Sequence, residues 1–210
     1  MFNDRKDAGK KLALALEKYK NQNTIVLAIP KGGIEVGYEV AKHLNADFSL
    51  IVVRKLPYPE NPEAGFGAIA EDGSCFIYPD GTIGLLKEQI ERIKKEQKEE
   101  IKRRIKILRK GKRLPKISGR ITILIDDGLA MGSTMRAAVM LCKKKKAGKI
   151  IVAVPVAGKR VASEMKKYAN KIVVLEIPEY FQAVAQVYRE WHDVSDEEAM
   201  SIMKKFKKTF

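Results

Sequence analysis

Two neighbouring carboxylates, Asp126 and Asp127, stand just before a run of small residues, Ala130-Met131-Gly132-Ser133-Thr134. A carboxylate pair can grip sugar hydroxyls or share a cation. A turn of small residues that opens a helix presents unpaired N–H groups and a partial positive charge, which suit a phosphate. Together they point to a ligand that carries hydroxyls or a metal close to a phosphate. A second turn, Pro30-Lys31-Gly32-Gly33, has two glycines that admit close backbone approach and a lysine suited to an anion. A third feature is the adjacent cation pair Arg54-Lys55. Each has a plainer reading as well: a strand–helix turn with Asp near its cap, a helix-entry turn with an exposed lysine, or surface charge.

The elements around these residues decide between the readings. Ile121-Thr122-Ile123-Leu124-Ile125 is too short and too β-branched for a helix and reads as a strand buried on both faces. Met135–Leu141 opens a helix after it. Further strands are expected at 24–29, 47–53, 149–155 and 171–177, with helices at 4–20, 34–44 and 159–168. Asn3 or Asp4 is placed to cap the first helix. This alternation predicts an α/β fold, a single doubly wound domain over 1–210 with a mainly parallel central sheet. Ligands of such sheets bind beyond the carboxyl ends of the strands. The acid pair, the Lys31 turn and Arg54-Lys55 all fall at such ends.

The strand, Asp126-Asp127 and Ala130–Thr134 resemble the signature of type I phosphoribosyltransferases, which bind 5-phosphoribosyl 1-pyrophosphate (PRPP). That signature has four apolar residues, two acids, three variable residues, Thr or Ser, Gly, one more residue and Thr. The resemblance implies that Asp126 and Asp127 contact the ribose hydroxyls, near which Mg²⁺ sits, and that Ala130, Met131, Gly132, Ser133 and Thr134 hold the 5-phosphate. It implies a pyrophosphate loop at Lys31, Gly32 and Gly33, with Arg54 and Lys55 beside it. The activity implied is Mg²⁺-dependent transfer of phosphoribose from PRPP to a nitrogenous base, releasing pyrophosphate. Met131 departs from the signature's Thr or Ser and removes one hydroxyl. Ala130 stands where hypoxanthine-guanine enzymes carry an Asp, as in adenine-type enzymes.

Other stretches add expectations. Residues 56–68 hold three prolines and two glycines, which predicts an irregular lid loop rather than a regular element. It occupies the position of the family's flexible catalytic loop, and Glu60 and Glu63 are candidates to polarise an acceptor. Residues 68–78 read as a hairpin with an Asp72-Gly73 turn, and 84–109 as a long helix. Glu179-Tyr180-Phe181 follows the last strand; the family's hood over the base implies that Tyr180 or Phe181 stacks on it. Trp191 and His192 are read as packing residues. Ser195–Glu198 fits a capping box that starts a final helix, so the hood and helix run over 178–210.

The net charge is +15, and 92–116 holds thirteen Lys or Arg against three Glu, ten of the fifteen charges. Without an aromatic residue between Arg92 and Lys116, a solvated helix face is the favoured reading. Nucleic acid is the alternative partner, which would make the chain a PRPP-sensing regulator without catalysis. The two cysteines, Cys75 and Cys142, have no ligand-like spacing. No apolar run approaches the roughly 20 residues of a membrane span, and the N-terminus lacks a signal core. A cytoplasmic protein is expected; domains of this kind commonly form homodimers.

Overall fold

The computed structural model describes residues 1–206; the last four residues of the expected 178–210 segment lie outside them. The chain runs α1 (Arg5–Ala15), a 3-10 turn, β1 (Thr24–Ala28), α2 (Gly33–Leu44), β2 (Asp47–Leu50), β3 (Val53–Tyr58), β4 (Asn61–Ala70) and β5 (Cys75–Ile77). It continues through α3 (Lys87–Leu108), β6 (Ile121–Ile125), α4 (Ser133–Lys144), β7 (Lys149–Val156), α5 (Lys159–Met165), β8 (Lys171–Glu176), a second 3-10 turn and α6 (Asp196–Lys205).

Five strands form one sheet in the order β2-β1-β6-β7-β8, and every neighbouring pair is parallel. The strands are apolar because both faces are covered. Val26, Ala28, Ile123 and Ile125 face α1, α2 and α6, whereas Ile25, Leu27, Leu124 and Val152 face α4 and α5. Helix starts follow the expected chemistry. The Asp4 carboxylate accepts from the Asp7 amide at 2.6 Å, and Ser195 and Glu198 close a capping box.

Two expectations are corrected. The strand read over 47–53 ends at Leu50, and the chain turns a corner into β3, so Arg54 and Lys55 belong to a second sheet, β3-β4-β5. An ion pair between Arg109 and Glu71, both almost fully buried, fixes this corner. Arg109 also donates to the Leu50 carbonyl, and Glu71 accepts from the Val52 amide, each at 3.0 Å. Those partners lie far apart in sequence, so a local pattern cannot reveal the break. The second correction concerns 56–68, which is an antiparallel hairpin rather than an irregular loop. Its prolines fit because β3 is an edge strand, Pro57 sits at a register shift, Pro59 lies in the turn and Pro62 is the second residue after it. Gly67 is required where β4 meets β5, since a Cβ there would lie 2.2 Å from the Phe76 carbonyl oxygen.

The basic helix α3 packs Ile93 and Ile101 against Leu56, Phe66 and Ile69 of the small sheet. Much of its charge is paired within the helix: Lys94 with Glu91, Lys102 with Glu99, and Arg103 and Arg104 with Glu100. Cys75 and Cys142 are free thiols, and burial pushes Cys142 up to about 12. Among the described residues no helix is long and apolar enough to cross a membrane.

Candidate active site

Strand order reverses between β1 and β6, because β2 lies on one side of β1 and β6, β7 and β8 follow on the other. A crevice opens outside the carboxyl ends of two strands at such a switch point. The turn after β1 and the acid pair after β6 both enter it. They touch: a Cβ on Gly32 would lie 1.8 Å from Asp127 Oδ2, and one on Gly33 2.9 Å from Asp126 Cα. Glycine is needed at both positions because the two loops share this space. The Pro30–Lys31 peptide is cis, and among the described residues the Lys31 and Gly32 amides donate to no protein acceptor.

The acid pair is largely buried, Asp127 being 14% exposed, and is backed by protein. Asp126 Oδ1 accepts from the Asp127 amide at 2.9 Å. Burial, and then the charge of Asp127, hold Asp126 well above the usual carboxylate range. Burial also raises Asp127, against the pull of Arg5. Arg5 comes from the first turn of α1, is only 4% exposed, and donates through Nε to Asp127 Oδ2 at 2.9 Å. Its Nη1 donates to the His192 carbonyl at 2.8 Å, and its guanidinium lies 3.9 Å above the Trp191 ring. One cation facing two acids leaves the site short of positive charge or hydrogen-bond donors. The Tyr188 hydroxyl adds a bond of 2.7 Å to the Asp127 carbonyl.

The turn from Ala130 to Thr134 is held from below. Gly132 adopts φ +75°, and an added side chain there would meet Val161 and Leu129. Arg136 is 2% exposed and donates to the Met131 carbonyl at 2.7 Å and to Glu164 at 2.6 Å; Tyr78 Oη donates to the same carbonyl at 2.8 Å. The Met131 side chain itself is 65% exposed. Among the described residues, no amide from Ala130 to Thr134 donates to a protein acceptor. Five donors at a helix N-terminus thus stand open to an anion.

The cations separate. Lys31 lies 3.6 Å from Asp196 at the start of α6, whose other oxygen lies 3.6 Å from Arg103. Lys55 is paired across the sheet with Ala68, and Ala68 with Phe76, so it shares the face that packs towards α4. Its Nζ donates to the Glu63 carbonyl at the exposed tip of the hairpin, where Glu60 is also exposed. Arg54 projects from the opposite face onto α3, where Nε donates to Gln97 at 3.1 Å.

The segment expected to form a hood packs against the first residues of the chain. Phe2 and Asn3 exchange backbone bonds with Val187, Arg189 and Glu190. Phe181 packs with Phe2, Val156 and Tyr188 and lies over Gly158, whereas Tyr180 is 82% exposed. Sequence reasoning missed Arg5, Arg136, Tyr78 and Tyr188. Arg5 did leave a signal: a cation in the first turn of a helix opposes the macrodipole, so another partner must hold it. Trp191, read as packing, is the platform for that arginine.

The acids fit Mg²⁺ only in company. Among the described residues no third His, Cys, Asp or Glu joins them to complete a metal cage. Mg²⁺ commonly takes one or two carboxylates and completes its shell with water and substrate phosphates.

A family model for the phosphoribosyl transferase domain matches residues 3–190. The chain belongs to that family. It is 36% identical over its whole length to "Putative phosphoribosyl transferase Rv0571c" of Mycobacterium tuberculosis strain H37Rv, and equally to "Putative phosphoribosyl transferase MT0597" of strain CDC 1551. The chain spans about half (48%) of the length of these curated relatives. Among solved structures, TT1426 from Thermus thermophilus matches with a TM-score of 0.81 and 33% identity, covering 96% of this chain and 97% of that one. AQ2163 from Aquifex aeolicus shares the fold at TM-score 0.51 and 12% identity, covering 82% of this chain and 74% of that one. The parallel sheet with its small antiparallel companion is therefore the type I phosphoribosyltransferase fold, and the family is one of pentosyltransferases.

Proposed function

We propose that this domain transfers phosphoribose from PRPP to a nitrogenous acceptor, with Mg²⁺ and release of pyrophosphate. The observation that carries the reading is the meeting of the Gly32-Gly33 turn with Asp126-Asp127 beside a second loop of open amides. A ligand with anions at two ends and hydroxyls between them matches that arrangement. The amides of Ala130, Met131, Gly132, Ser133 and Thr134 would bind the 5-phosphate, away from the reacting carbon, so that binding energy fixes the geometry at C1. Asp126 and Asp127 would hold the ribose hydroxyls and offset the positive charge that grows on the ring as the bond to pyrophosphate breaks. The Lys31 and Gly32 amides with the Lys31 and Lys55 side chains would take the charge growing on pyrophosphate; Arg54, held against α3 by Gln97, is left out of that role. Bound Mg²⁺ would supply further charge neutralisation there. Phe181 and Tyr180 are the candidates to stack on the base.

Thermal-shift measurement tests the reading. PRPP with Mg²⁺ should stabilise the wild type, by about 2.7 kcal/mol at a hundredfold excess over Kd. The Asp126→Asn/Asp127→Asn double variant should lose most of that gain. Equal stabilisation of both proteins would refute the role given to the acids.

A further inference from the structure

Part of the 92–116 charge lies past the end of α3, and three of those cations gather in one place. Past Leu108 the chain reverses through Lys110 and Gly111, both at positive φ, with the Gly111 amide donating to the Ile105 carbonyl at 3.1 Å. This reversal brings Lys110, Lys112 and Arg113 to the rim of a cavity of about 210 Å³ between the end of α3 and α6, where Lys204 completes the rim. All four are exposed, and among the described residues none has a carboxylate partner. Arg109 forms the wall; it is only 6% exposed and its Nε has no hydrogen-bond partner, although Glu71 and Leu50 satisfy its terminal nitrogens. Met200 and Met203 of α6 supply an apolar floor.

Both halves of this cavity have a chemical preference. Four unneutralised cations within one opening suit several phosphate charges, and lysine and arginine side chains bind phosphate oxygens directly. Methionine sulfur is polarizable, adapts its shape and packs well on aromatic rings. We propose that the cavity is a second ligand site, apart from the acid-pair crevice, which takes a nucleoside polyphosphate with its ring on the methionines and its phosphates on the rim. This site does not depend on the phosphoribosyl reading, because it shares no residue with that crevice.

Isothermal titration of the full chain with ATP, in EDTA and low salt, tests it. The wild type and the Asp126→Asn/Asp127→Asn variant should bind alike. Lys112→Glu/Arg113→Glu should weaken binding at least tenfold while leaving the melting temperature and PRPP–Mg²⁺ binding as in the wild type, and Met203→Ala should weaken it several-fold. Failure of the wild type to bind ATP would overturn the proposal. So would indifference to the charge reversal, loss of binding in the aspartate variant, or binding of single-stranded RNA that ATP does not displace.

Discussion

Arg5→Met isolates the contribution of a cation that the chain brings to the acid pair from its first helix. Methionine preserves the apolar stem over Trp191 and removes the charge, so the change is mainly electrostatic. Arg5 is 4% and Asp127 14% exposed, with 2.9 Å between the bonded atoms. Removing one partner of such a buried pair costs about 3–5 kcal/mol, because the other charge is left without compensation. At roughly 2–4 °C per kcal/mol for a domain of this size, the lower figure means a melting temperature about 6–12 °C below the wild type. The sign of its pH dependence follows from protonation. Arg5 now opposes the rise that burial imposes on Asp127; without it the folded carboxyl rises further, while the unfolded one stays near about 4. The folded variant would then keep a proton that the unfolded chain has released. Its stability should fall as pH rises from about 4 through the new folded value, and level off above it. Calorimetric scans at about pH 4.5 and pH 8 should therefore show a small loss at the lower pH and the full loss at the higher one. Arg5→Lys should recover part of the loss. A deficit that is equal at both values would mean that Arg5 acts by packing alone and would refute the electrostatic argument.

Other changes probe the same crevice. Met131→Thr supplies the hydroxyl that the family signature carries at an exposed position; one added hydrogen bond of about 0.5–1.5 kcal/mol should tighten PRPP binding roughly two- to tenfold in calorimetry, with little change in stability. Gly32→Ala puts a methyl group against Asp127 Oδ2, so titration with pyrophosphate and Mg²⁺ should show affinity reduced at least tenfold, and unchanged affinity would remove the reason for glycine there. Asp126→Asn keeps the acceptor for the Asp127 amide and deletes a carboxylate whose folded value is raised. The raised acid loses stability as pH climbs above the unfolded value, so the variant should melt above the wild type near pH 7 and match it near pH 4.

The candidate site was legible wherever chemistry is written in consecutive residues. Asp126-Asp127, Gly132 and the Lys31 turn each follow a β-branched strand, and the strand–helix alternation puts them at one end of a parallel sheet. The end of β2 at Leu50 was not legible, because Arg109 and Glu71 fix it from positions remote in sequence. The hairpin at 56–68 was hidden for a different reason. Proline and glycine usually mark irregular backbone, but an edge strand tolerates a missing N–H and a crossing backbone demands a missing Cβ.

By itself the sequence determined the layered α/β fold and singled out the turns proposed to bind anions, because local periodicity and adjacent functional groups suffice for both. Only the tertiary structure decided which charges meet. It brought Arg5 and Trp191 from opposite ends of the chain to Asp127, set Arg136 under the Met131 carbonyl, and turned Arg54 and Lys55 to opposite faces of one strand. Coulombic and hydrogen-bond energies depend on distance and burial in space, and neither quantity is encoded by separation along the chain.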